Sequence, residues 1–145
     1  MICVVKQLNY LQLPFLPYFY PGVAMINICT SYQATEPSLF IDLSPYSNPE
    51  YGSSPNDLTV VGDMLFVTDF FGGYVWKVAL TLEMDYNVEI FLTFDPSLER
   101  PNGIESIGGT LLISLMDSDT LQRVDINTND LLTVSLLPAS AYIDG

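Results

Sequence analysis

The sequence predicts an all-β chain, a partial β-propeller with two complete four-stranded blades, part of a third upstream and the start of another downstream. Three observations carry that expectation. First, PNDLTVVGDMLFVTDFFGGYVWKV at residues 55–78 is followed 46 residues later by PNGIESIGGTLLISLMDSDTLQRV at residues 101–124. In register and without a gap, Pro55 falls on Pro101, Asn56 on Asn102, Leu58 on Ile104 and Gly62 on Gly108. Leu65 likewise falls on Leu111, Val67 on Ile113, Lys77 on Arg123 and Val78 on Val124. Second, short apolar alternations lie between turn signals in both copies. Third, no window of ten or more residues carries a helical period. A repeat of this length built from four short strands suits a propeller blade.

The elements follow in order. In the first copy, strands are expected at Asp57–Val61, Met64–Thr68, Tyr74–Leu80 and Val88–Phe94, with Gly62-Asp63 and Gly72-Gly73 as turns. In the second they are expected at Gly103–Ile107, Leu111–Leu115, Leu121–Ile126 and Leu131–Leu136, the last turn being Asn127-Thr128-Asn129-Asp130. Upstream, Ala24–Thr30 and Leu39–Leu43 read as the third and fourth strands of an earlier blade. Downstream, SAYIDG opens another, with Asp144-Gly145 in the place of Asn102-Gly103. Residues 1–35 read as an irregular N-terminal segment or blade remnant, and residues 36–145 as the partial propeller. Propellers close with four to eight blades, so the smallest needs roughly 180 residues. The chain therefore reads as a fragment, a truncated gene product or one part of a split propeller. Open blade faces and edge strands would favour self-association.

Composition removes several function classes. Seventeen acidic residues against four basic ones give a formal net charge of −13. Nucleic acid and anionic membrane surfaces are unsuitable partners for such a chain, since no cationic face displaces counterions. Histidine is absent, which excludes histidine bases, Ser-His-Asp triads and Cys/His zinc sites. Cys3 and Cys29 are the two cysteines; a disulfide between them is conceivable, and two thiols fix no redox compartment. Residues 7–35 carry no charge, but Pro14, Pro17 and Pro21 interrupt any membrane-spanning helix. A cleavable signal peptide, with Lys6 at its basic end and Gly22-Val23-Ala24 at its cleavage site, is a weaker reading of the same stretch.

The chemistry-bearing candidates are Asn56, Asn102 and Asp144, which hold one position in three successive repeats. In a propeller this position precedes the innermost strand and lies at the mouth of the central channel. Amide oxygens with a carboxylate suit a hard cation such as Ca²⁺, which takes 6–8 oxygen ligands. Pro-Asn-Asp and Pro-Asn-Gly are also ordinary turn sequences, with Pro fixing φ and Asn bonding its own backbone.

With SPNDLTVVGDMLFVTD, RPNGIESIGGTLLISL and YIDG in view, the chain from about residue 37 resembles the SMP-30/gluconolactonase/LRE-like, or regucalcin-type, six-bladed propellers. These are related to the paraoxonase and strictosidine synthase-like proteins. The resemblance implies a channel-mouth metal, Ca²⁺ or another divalent cation, and hydrolysis of a lactone or ester. It implies that Asn102 and Asp144 are metal ligands and that Asn56 touches substrate or metal-associated water, with Asp144 as base. The first-blade acidic ligand of that family has no counterpart, Glu36 being the only acidic residue before Asp42. A cage short of that ligand binds weakly, so catalysis by this chain alone is not expected. Similar motifs occur in NHL-type propellers that serve only as protein-binding modules.

Other residues read as structural. Asp69 ends a strand and suits a turn role. Tyr74 and Trp76, with Phe70 and Phe71, are either inter-blade core or the lining of a binding mouth. Lys77 and Arg123 alternate with apolar neighbours and face solvent. The Asp117-Ser118-Asp119 run lacks the glycine and final glutamate of an EF-hand loop and reads as a hairpin.

Overall fold

The computed structural model describes residues 41–81, 85–116, 118 and 120–135, together with the backbone of short strands at 3–5, 23–24 and 27–29. The chain is all-β. Two four-stranded antiparallel sheets dominate, each an up-and-down meander of strands adjacent in sequence. The first contains β5 (Pro55–Val61), β6 (Met64–Asp69), β7 (Tyr74–Leu80) and β8 (Tyr86–Thr93). The second contains β9 (Pro101–Ile107), β10 (Thr110–Leu115), β11 (Thr120–Asp125) and β12 (Leu131–Ser135). Ahead of them, β1 (Cys3–Val5) pairs with β3 (Asn27–Cys29), and β2 (Val23–Ala24) with β4 (Ile41–Asp42). Within the expected strand Ala24–Thr30, Ala24 belongs to β2 and Asn27–Cys29 to β3, which have different partners, and Met25, Ile26 and Thr30 lie outside the described residues. The described strands do not close into a ring.

Both sheets begin two residues earlier than expected, at the prolines. Proline donates nothing to a ladder, and the first residue of a strand tolerates that. Pairing then slips by one residue: Pro55 faces Asp69, but Leu58 faces Val67. The second sheet repeats this, with Pro101 facing Leu115 and Ile104 facing Ile113. Each copy therefore carries a β-bulge at its Asn-Asp or Asn-Gly dipeptide. The next turn has two residues in each sheet, and its leading glycine, Gly62 or Gly108, has φ of 61° or 55°. That left-handed start matches the twist of a tight hairpin.

Two cores result, one on each face of the first sheet. Leu58, Leu65, Val67, Trp76, Val78 and Val88 pack with Ile41 and Leu43 on one face. Phe66, Val75 and Phe94 on the other meet Ile104, Leu111, Ile113, Leu115 and Val124 of the second sheet. The period-two alternation of β6 divides its residues between the cores: Leu65 and Val67 enter the first, Phe66 the second. The sequence register is also the structural one. Leu58, Leu65, Val67 and Val78 face the chain upstream of their sheet, and Ile104, Leu111, Ile113 and Val124 face the preceding sheet.

Candidate functional site

The site is built by the two bulges. A bulge leaves one backbone N–H outside the ladder, and here a hydroxyl on the neighbouring strand takes it up. Asp57 N donates to Thr68 Oγ1 at 3.0 Å, and Gly103 N to Ser114 Oγ at 2.8 Å. Thr68 and Ser114 lie 46 residues apart, as do the asparagines. The hydroxyl of Thr68, which is fully buried, also donates to Asn102 O at 2.6 Å, which links the two sheets.

The bulges aim two of the predicted site residues at each other. Asn56 Nδ2 donates to Asn102 Oδ1, and Asn102 Nδ2 reaches Met116 Sδ at 4.0 Å. Asn56 is exposed and Asn102 half-buried, so the pair stands at the solvent end of β5 and β9. Asp57, next in sequence, is held by backbone: its Oδ1 accepts from Leu58 N at 2.9 Å and its Oδ2 from Ile104 N at 3.0 Å. Asp144, the third predicted ligand and the candidate base, lies outside the described residues, as do Glu36, Lys6, Asp117 and Asp119. Among the described residues no group of three or more acidic, cysteine or histidine side chains gathers. The two amides fit a hard cation in kind, since Asn102 Oδ1 is an oxygen donor and a half-turn of the Asn56 amide presents a second. They supply two of the oxygens such an ion needs.

Asp69 is organised differently. It is fully buried beneath the first sheet's solvent end. Its Oδ1 accepts from Ser54 N at 2.6 Å and Gly72 N at 3.0 Å, and its Oδ2 from Ser53 Oγ at 2.9 Å. Burial pushes its carboxyl above the ordinary carboxylate range despite these hydrogen bonds. It closes the loop before β5 onto the Phe70–Gly73 turn, and is a structural carboxylate.

The aromatic candidates divide. Trp76 is fully buried in the first core, whereas Phe71 is exposed and Phe70 lies 5.0 Å beneath the Arg100 guanidinium. Lys77 faces solvent and pairs with Glu89 at 2.7 Å. Sequence reasoning missed Thr68 and Ser114. Their signal was present, a hydroxyl residue at one register position of both second strands. No helix among the described residues is long and apolar enough to cross a membrane.

Fold and site together define a β-repeat protein: two equivalent antiparallel sheets, each opened by a bulged Pro-Asn strand. Compared with protein-family models, curated proteins and solved structures, the chain matches none of them.

Proposed function

We propose that the chain is a section of a propeller-type, divalent-metal-dependent hydrolase acting on lactones or esters, with Asn56 and Asn102 as part of its cation site. The observation that supports this reading is the side-chain contact between two asparagines 46 residues apart. A repeat that served only as a turn would not need its asparagines turned toward one another at a solvent-facing end. When bound, a cation such as Ca²⁺ supplies Lewis-acid activation of a carbonyl and of water. On this reading Asn102 and Asp144 would hold the cation, Asn56 would orient the substrate oxygen, and the Asp144 carboxylate would accept a proton from the attacking water. Two amides are few for a cation that takes 6–8 oxygens, so binding by this section is weak and turnover by it alone is not expected. Calorimetric titration of Ca²⁺ into the chain tests the site, with Asn56→Ala and Asn102→Ala alongside. Loss of the binding heat in both variants is expected; equal affinity in all three proteins removes the site.

A second reading, a non-catalytic protein-binding module, is favoured by one observation. Asn102 Oδ1, Asn102 O and the Asp57 carboxylate are all engaged in bonds between β5, β6 and β9. Under that reading Ca²⁺ leaves the melting temperature unchanged, whereas a cation binding only the folded chain raises it by mass action.

A further inference from the structure

The outer face of the second sheet repeats a face that the first sheet buries. Phe66, Thr68 and Val75 are covered because the second sheet stacks on them. One repeat later the same positions are Leu112, Ser114 and Leu121, and all three are only half-buried. Strand register arranges this face in rows. Glu105, Leu112, Arg123 and Leu132 form one row across the four strands. Ser114, Leu121 and Val134 form the next, with Gly103 beside Ser114. Leu132 is 57% exposed and Val134 38%. A shallow cavity of 310 Å³ lies over Gly103, between Glu105, Leu112, Ser114 and Leu121.

We propose that this face is the contact between two copies of the chain, related by a two-fold axis that runs along the strands through Leu112. The charges on the face favour that occupant. Arg123 is one of only four basic residues in a chain of net charge −13, and it has no ion-pair partner among the described residues. Glu105 uses Oε1 to accept from Thr59 Oγ1 at 3.2 Å and from Ser106 N at 3.0 Å, with Oε2 directed to neither. Leu112 stands midway between Glu105 and Arg123, each one strand away, or about 5 Å. Rotation about Leu112 therefore sets Glu105 against the partner's Arg123 and Arg123 against the partner's Glu105. An isologous contact makes each such pair twice. In the next row the rotation sets Leu121 over the partner's Gly103, at the cavity that Asp57, Ile104 and Ser114 also line. The contact continues the stacking seen inside the chain, where an alternating apolar sheet face is covered by another sheet. Neither asparagine takes part, so loss of the dimer and loss of the cation site are read in separate variants.

Sedimentation equilibrium of the 145-residue chain at about 0.15 M salt tests this, because exposed charges more than roughly 8 Å apart are then screened. A concentration-dependent dimer is expected. Arg123→Glu and Glu105→Arg should each raise the dissociation constant at least tenfold. Mixing these two variants should restore a dimer, since a face with two carboxylates then meets one with two guanidinium groups. Far-UV circular dichroism verifies that each variant is folded. Should either fail to fold, Leu112→Glu, which sets two carboxylates against each other across the axis, carries the same expectation of a monomer. A wild-type chain that stays monomeric at every concentration overturns the proposal. So does a dimer that survives the single charge reversals, or a mixture that does not associate.

Discussion

Gly72 offers the sharpest test of the buried carboxylate. A Cβ added there would lie 1.9 Å from Asp69 Oδ2 and 2.7 Å from Asp69 Cγ, far inside the 3.4 Å at which ordinary contact begins. The carboxylate is not the free end of a flexible side chain. It is fully buried and fixed by Ser53 Oγ, Ser54 N and Gly72 N. Moving it far enough to admit a methyl group breaks all three bonds and strands three donors, at about 1–3 kcal/mol each. Gly72→Ala should therefore cost about 3 kcal/mol or more, a large part of a typical domain's 5–15 kcal/mol. The melting temperature should fall by roughly 10 °C. Urea unfolding followed by fluorescence of Trp76, the only tryptophan, measures the change. Gly62→Ala is the control, since a Cβ there meets nothing within 4 Å and only its φ of 61° opposes the substitution. That strain costs about 1–2 kcal/mol. In an Asp69→Ala background the cost of Gly72→Ala should shrink, because the colliding atoms are gone and the two sites are coupled. If Gly72→Ala costs no more than Gly62→Ala, or the same in both backgrounds, the account of Asp69 is wrong.

Two further outcomes are expected. The folded-state pKa of Asp69 is raised above its unfolded value of 3.8, so its contribution to stability is fully present below that value and lost as pH rises through the folded pKa. Asp69→Asn cannot charge, so its melting temperature relative to wild type should climb as pH goes from below 4 to neutral; a pH-independent difference contradicts this. Thr68→Val keeps the shape but leaves Asp57 N and Asn102 O without the hydroxyl, and should cost about 1–3 kcal/mol. Ser114→Ala, which removes the half-exposed counterpart, should cost less than half as much when unfolding of both variants is followed by far-UV circular dichroism, which reads both sheets.

The sheets were legible in the sequence because a gapless 46-residue repeat and a two-residue alternation are strong signals. Leu58 with Ile104 and Leu65 with Leu111 identified equivalent core positions before any pairing was known. Residues 7–35 were not legible, since three prolines and no charge leave no period to follow; Ala24 pairs with Ile41 as expected, but Asn27–Cys29 pairs with Cys3–Val5. At the candidate site, Asn56 and Asn102 could be paired from their spacing. The bulge that turns them toward each other could not. It depends on a register slip and on hydroxyls at Thr68 and Ser114, which no pattern of apolar residues encodes.

The first sheet is the wall shared by both cores, and this bears on how the chain comes apart. Loss of the second sheet would expose Phe66, Val75 and Phe94 while leaving Ile41, Leu43 and Trp76 in place. Loss of the first sheet removes one side of both cores at once. Local opening should therefore begin at the C-terminal sheet, whose last strand has all five residues exposed. Amide exchange should run fastest in β12 and slowest in β6 and β7, the central strands that feed both cores. Trp76 would stay quenched or shifted as in the native state through that first opening, so its fluorescence marks the final step of unfolding alone.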